Sequence, residues 1–322
     1  MTRPILALLL AFAVGAAAGK LLLPVLHRLK FGQNVYELAP EAHQKKQGTP
    51  TMGGLIIAIS TLVSALLCHV SGADLAMMIA VMLMAFGNLA IGMLDDLTKI
   101  RHKKNGGLTA KQKLVLQTIL SVVFAVWCAM NPQIGTAIRI PFTRFELNLG
   151  ILYVPVIVFV LVGTTNSANL LDGLDGLLSS VAMVDFGMLA VLAACLSCGN
   201  LSVVSAAVCG GCMAHLLYNA YPAKVFMGDT GSMFIGGAIS SMAVVLRQPL
   251  LLILIGFWMM MSSVSDLIQF AYFRKTGGKR FFKMAPIHHH FELCGMHEVK
   301  IVAMYLTTTV ALCLIALLGS IG

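Results

Sequence analysis

Asp95 and Asp96 stand side by side in the segment Gly92-Met93-Leu94-Asp95-Asp96-Leu97, at the end of a long apolar run. Adjacent helical residues point about 100° apart, so the two carboxylates can serve different partners, such as a metal and a reacting group. A solvated acidic pair at a helix end is the plain alternative. Carboxylates at a helix C-terminus oppose the macrodipole, however, and gain nothing from it. A second cluster lies between Asn166 and Leu177, where Asn169, Asp172 and Asp175 recur every third residue. On a helical turn they share a face, and like charges at that spacing destabilise unless a cation joins them. Gly173 and Gly176 let a ligand approach the backbone closely. The Asp-x-Gly repeat is also a calcium-loop feature, yet the twelve-residue pattern ending in Glu is missing.

The segment Asn219 to Ser232 ends in Gly228-Asp229-Thr230-Gly231-Ser232, which reads as a helix start. That places an anion-binding N-terminus beside a carboxylate, or simply caps a helix, the commoner fate of Asp, Thr and Ser there. In Phe281 to Glu292, the consecutive His288, His289 and His290 offer metal ligands, a general acid or phosphate donors. Consecutive residues cannot all face one metal, so at most two act together. Lys46 and Thr51, within Lys45 to Gly54, open another apolar run. They are either part of a solvated basic loop or hold a lipid phosphate near the headgroups.

The elements that must position these residues are membrane helices. Hydrophobic residues are 58% of the 322 positions and charged residues 11%, with a mean hydropathy of +0.89, far from the composition of a soluble domain. A bilayer core of about 30 Å needs roughly 20 apolar helical residues. About ten such spans are expected, near 4–26, 51–70, 74–94, 112–130, 151–166, 177–196, 201–219, 232–246, 249–271 and 299–319. The fold class is therefore all-α and polytopic, with residues 1–322 as a single membrane domain. The first run lacks a basic n-region beyond Arg3 and outlasts an h-region, so it is read as a true span.

The formal net charge of +9 is not that of a nucleic-acid binder, because its placement is one-sided. Loops after the odd-numbered spans hold Arg28, Lys30, Lys45, Lys46, Lys99, Arg101, Lys103, Lys104, Lys111, Lys113, Lys224, Arg274, Lys275, Lys279, Arg280, Lys283 and Lys300. The other side holds Arg3, Arg139, Arg144 and Arg247. This bias makes the odd loops cytoplasmic and both termini extracytoplasmic. Of the thirteen acidic residues, Asp95, Asp96, Asp172, Asp175, Asp229, Glu292 and Glu298 fall on that same face. Asp185 and Asp266 lie within spans, where carboxylates are costly. Cys195 with Cys198 and Cys209 with Cys212 mimic metal-ligand pairs, but they sit in apolar spans and read as packing residues.

Together these motifs resemble the polyprenyl-phosphate N-acetylhexosamine-1-phosphate transferase superfamily over nearly the full chain. Gly48 to Gly54, Asn169 to Gly176 and Ala285 to Glu292 resemble its phospho-N-acetylmuramoyl-pentapeptide transferase branch. The resemblance implies a UDP-N-acetylmuramoyl-pentapeptide donor, an undecaprenyl phosphate acceptor, lipid I and UMP as products, Mg²⁺ as cofactor, an active site at the cytoplasmic face of the bilayer, and a homodimer. Joining two anionic phosphates does call for a divalent ion and basic groups, with little covalent chemistry left to the protein.

On that resemblance Asp95 positions or deprotonates the acceptor, Asp229 and Asp172 hold Mg²⁺, and Asp96 supports the acidic cluster. Phe226 would stack on uracil with Asn219, Asp175 and Gln269 nearby, and His288 would contact the donor phosphate. Lys46, Thr51, Lys111, Asn169, His289 and His290 complete the expected substrate contacts. A covalent aspartyl route through Asp95 stays open beside direct attack. Two rival functions stand against this reading. One is a sibling transferase using UDP-N-acetylglucosamine. The other is a lipid or ion transporter, which would instead place its acids near the midplane.

Overall fold

The computed structural model describes residues 2–28, 48–72, 74–102 and 107–321. Lipid offers no partner for backbone polar groups, so apolar segments close their hydrogen bonds within helices. The helices are α1 (Thr2–Arg28), α2 (Gly54–Cys68), α3 (Leu75–His102), α4 (Ala110–Met130), α5 (Tyr153–Leu171) and α6 (Leu177–Cys195), followed by α7 (Gly199–Asn219), α8 (Gly228–Val245), α9 (Leu252–Ile255), α10 (Phe257–Lys275), α11 (Ile287–Leu293) and α12 (Glu298–Ile321). The one sheet among the described residues is a hairpin of β1 (Ala137–Arg139) and β2 (Glu146–Asn148), antiparallel with Ala137 opposite Asn148.

Each of the ten apolar segments carries a helix, though length and composition alone do not confirm ten crossings. Among the described residues, seven helices (α1, α3, α4, α5, α6, α7 and α12) are long and apolar enough to cross a membrane. An eighth counts if α9 and α10, bent by 83° around Gly256, form one broken span. At 15 residues α2 is short, and α8 is not apolar enough. The reason is that α8 faces protein rather than lipid: every residue from Thr230 to Val245 is buried. It packs on α2, α3 and α5. Glycines set the closest approaches. A Cβ at Gly54 would lie 2.1 Å from the Gly231 Cα, one at Gly236 2.6 Å from the Thr165 Cα, and one at Gly237 2.6 Å from the Asn88 amide. Small residues of this kind let helix backbones approach closely where no hydrophobic driving force exists.

Around this central helix, α7 packs on α1, α2 and α6, while α6 packs on α12 and α5 on α4 and α10. The far half of α10 stands clear of the bundle, leaving Leu267 and Phe270 about two-thirds exposed at 68% and 61%. At the end opposite the acidic motifs, Arg247 ties the hairpin down through its Nη2 to Glu146 at 2.6 Å and its carbonyl to the Arg139 amide at 2.8 Å.

Candidate functional site

The acidic motifs converge where α3, α5 and α7 end and α2, α4 and α8 begin. The last turns of α3 run past the acidic pair to His102, so Asp95 and Asp96 are not at a helix end as the sequence implied. Both are 3% exposed. They point to different partners, as helical geometry requires. Asp95 accepts from the Leu108 amide at 2.8 Å and pairs with Lys99, one turn on, at 2.6 Å. Asp96 accepts from the Thr230 amide at 2.9 Å, the Thr230 hydroxyl at 2.7 Å and the Asp229 amide at 3.3 Å.

The Asp96 carboxylate therefore occupies the anion-binding N-terminus of α8, satisfying amides that have no partner inside the helix. That close approach depends on glycine. A Cβ at Gly92 would lie 2.1 Å from the Asp229 carbonyl, and Gly228 has φ +72° with Thr51 Oγ1 and Asp96 Oδ2 within 2.7 Å of any added Cβ. Gly53 and Gly54 donate to the carbonyls of Phe226 and Met227 at 2.8 and 3.0 Å, and Phe226 donates to the Pro50 carbonyl at 2.8 Å. This pairing is what brings Thr51 beside the cluster.

Asp229 is the hub. Its Oδ2 receives Lys113 at 2.8 Å and Lys99 at 3.1 Å, and its Oδ1 receives the Asn169 amide at 2.8 Å. Neither lysine stood out in the sequence as a site residue, although Lys99 is spaced i+4 from Asp95 and i+3 from Asp96. Lys113 is aimed by a capping box in which the Thr109 hydroxyl accepts from the Gln112 amide and the Gln112 side chain accepts from the Thr109 amide. Lys111 lies about 200° round the same helix and is exposed.

Ligand oxygens of Asp95, Asp96 and Asp229 all lie within 4.8 Å of one another. Three hard carboxylate donors so arranged fit Mg²⁺, which prefers oxygen ligands, and Lys99 spans the three, at 3.9 Å from Asp96. Asp172, which caps the end of α5, is not in this trio. Burial first, then the charges of Asp229, Asp96 and Asp175, push its carboxyl up to about 8.

The remaining candidates divide by what their polar atoms already do. Asn219 is buried, accepts from the Gly176 amide at 3.1 Å and donates to the Val225 carbonyl at 2.8 Å, so it knits the second and third motifs together. Asp175 accepts from the Ala223 amide at 2.9 Å, while its own amide donates to Glu298 at the start of α12. Gln269 accepts from the amides of Phe281 and Phe282 at 3.1 and 2.9 Å and braces the loop before the histidines. Phe226 is partly exposed beside the site.

The three histidines diverge around α11. His288 is fully buried against Gly173, where a Cβ would come within 2.2 Å of Nε2. His289 pairs with Glu292 at 2.7 Å. His290 Nδ1 accepts from the Lys283 amide at 3.2 Å. Thus His288 faces the second motif. Lys46 lies outside the described residues. Asp185 accepts from the Cys313 thiol at 3.5 Å far inside the bundle, and Asp266 lies near His289.

A family model described as glycosyl transferase family 4 matches residues 75–247, and the signature 1 described for phospho-N-acetylmuramoyl-pentapeptide-transferase matches residues 46–57. Curated relatives carry the same name. One from Clostridium botulinum (strain Alaska E43 / Type E3) is 46% identical over 97% of this chain and 95% of its own. Another, from Clostridium kluyveri (strain ATCC 8527 / DSM 555 / NBRC 12016 / NCIMB 10680 / K1), is 44% identical over 99% of this chain and 100% of its own. A third, from Clostridium novyi (strain NT), is 43% identical over 100% of this chain and 98% of its own.

Proposed function

Because the chain belongs to the phospho-N-acetylmuramoyl-pentapeptide-transferase family, we propose that it transfers phospho-N-acetylmuramoyl-pentapeptide from the UDP derivative to undecaprenyl phosphate. The products are lipid I, for peptidoglycan biosynthesis, and UMP. The observation that carries this reading at the site is the trio Asp95, Asp96 and Asp229 gripped by Lys99 and Lys113 at one end of the bundle. Carboxylates able to hold a divalent ion and ammoniums able to meet phosphate oxygens are what a phosphoryl transfer between two anions needs.

Asp95, Asp96 and Asp229, with Asp172 beside them, would hold Mg²⁺. When bound, it supplies Lewis-acid neutralisation of the diphosphate. The chain's own groups do the rest. Asp95 orients or deprotonates the acceptor phosphate, which attacks the donor's β-phosphorus directly. Lys99 and Lys113 turn from Asp229 towards phosphate oxygens, and His288 donates a hydrogen bond to the donor diphosphate. Phe226 stacks on the uracil, with Thr51 beside the entering lipid phosphate. The one-sided distribution of Lys and Arg supports a cytoplasmic site with both termini outside. Basic loops there draw in a polyanionic soluble donor.

Incubation of the purified protein with UDP-N-acetylmuramoyl-pentapeptide, UDP-N-acetylglucosamine, lipid phosphate and Mg²⁺ tests the assignment. Mass spectrometry should find lipid I, and a GlcNAc-bearing lipid product instead would move the protein to the sibling activity. Rapid quench without lipid phosphate separates the two mechanisms. Direct transfer gives no UMP burst, whereas a stoichiometric burst abolished by Asp95→Asn establishes a covalent enzyme.

A further inference from the structure

Gln117 and Asn166 meet one helical turn away from the groups that hold Asp229. On α4, Gln117 follows Lys113 by four residues, and on α5, Asn166 precedes Asn169 by three, so each shares a face with its neighbour. The Asn166 side-chain amide donates to Gln117 Oε1 at 2.8 Å and to the Val162 carbonyl at 2.8 Å. Gln117 is 1% exposed, and its Nε2 has no partner among the described residues. A buried amide left half-satisfied is a worse choice for stability than an apolar side chain of the same shape. Packing does not account for a glutamine here.

Position does. Lys113 reaches Oδ2 of Asp229 from α4, and Asn169 reaches Oδ1 from α5, both at 2.8 Å. The two bonds form together only when the helices hold one axial register and one spacing. We propose that the Gln117–Asn166 hydrogen bond sets that register, making both residues positioning residues for the transfer. This rests on the proposed reading that the acidic cluster is the catalytic centre.

The test is steady-state kinetics on the full-length enzyme in nanodiscs, with Gln117→Leu, Asn166→Leu and the double variant. Misplacement of a catalytic group by a fraction of an ångström should lower kcat about tenfold in each single variant. Donor KM should stay within about twofold. The double variant should be no slower than either single one, because both remove the same bond. The thermal midpoint of Gln117→Leu should be unchanged or higher, which a merely structural residue would not give. If leucine lowers the yield of folded protein, Gln117→Met, closer in shape, takes its place in the cycle.

Wild-type kcat in the single variants, or losses that multiply in the double variant, overturn the proposal. Asp229→Asn is measured alongside. If that variant turns over normally, the reading of the cluster fails. If it is inactive while the leucine variants run at full rate, only the tie fails.

Discussion

Replacing Lys113 by methionine keeps the aliphatic stem and removes one of the two ammoniums on Asp229 Oδ2. Lys113 Nζ lies 2.8 Å from that oxygen, and the side chains are only 15% and 16% exposed. At an effective dielectric constant of about 20, the gross attraction is roughly 6 kcal/mol. Desolvation offsets much of it, and a charge-assisted hydrogen bond nets roughly 1.5–3 kcal/mol. If Lys113 passes that interaction to a phosphate oxygen during transfer, its loss lowers kcat/KM for the donor about tenfold to a hundredfold.

The metal responds in the opposite direction. With Lys99 alone facing three carboxylates, the site is more negative, and one competitor for Oδ2 is gone. The Mg²⁺ concentration for half-maximal rate should therefore hold or fall. Initial rates of UMP release, with donor varied at saturating Mg²⁺ and Mg²⁺ varied at saturating donor, separate the effects. A rise in the Mg²⁺ requirement with donor dependence unchanged would refute this account and make Lys113 an organiser of the metal ligands.

Asp95→Asn, Asp172→Asn and Asp229→Asn should each lower turnover by at least about a hundredfold at unchanged protein yield, and normal turnover by folded Asp229→Asn at limiting Mg²⁺ would remove it from the metal site. His288→Ala should cost about tenfold to a hundredfold in donor kcat/KM without changing the Mg²⁺ requirement. Gly173→Ala should match it, because the new methyl would lie 2.2 Å from the imidazole Nε2 and displace the ring; equal kinetics of Gly173→Ala and wild type would show that this contact is not needed. Asp172 adds a pH dependence. Its carboxyl, pushed up to about 8, binds its proton in the folded state across the window from the ordinary carboxylate range to about 8, where the unfolded chain has released it. Metal-free protein should lose stability as pH rises through that window. If Mg²⁺ takes the place of that proton, its thermal stabilisation should be larger at pH 8.5 than at pH 6, and the difference should vanish in Asp172→Asn. Equal Mg²⁺ shifts at both pH values in the unmutated protein would count against Asp172 as part of the ion site.

The helical class and the end of the bundle at which Asp95, Asp96, Asp229 and Asn169 gather are legible along the chain. They depend on local properties: the hydropathy of a window, the scarcity of carboxylates in an apolar sequence, and the spacing of like charges. Hydropathy does not reveal that α8 is surrounded by other helices, because it measures suitability for lipid. It likewise treats 249–271 as one span, whereas the chain bends by 83° around Gly256.

What side chains meet across helices is decided only by packing. Asp96 is separated from Thr230 by 134 positions and Lys113 from Asp229 by 116, and no periodicity within either helix encodes those encounters. The same holds for Asn219 and Gln269, whose polar atoms brace loops, and for the single histidine of three that faces Gly173. Residue type and spacing define what each helix can offer; the close approach of glycine-lined backbones around α8 determines which offers are taken up.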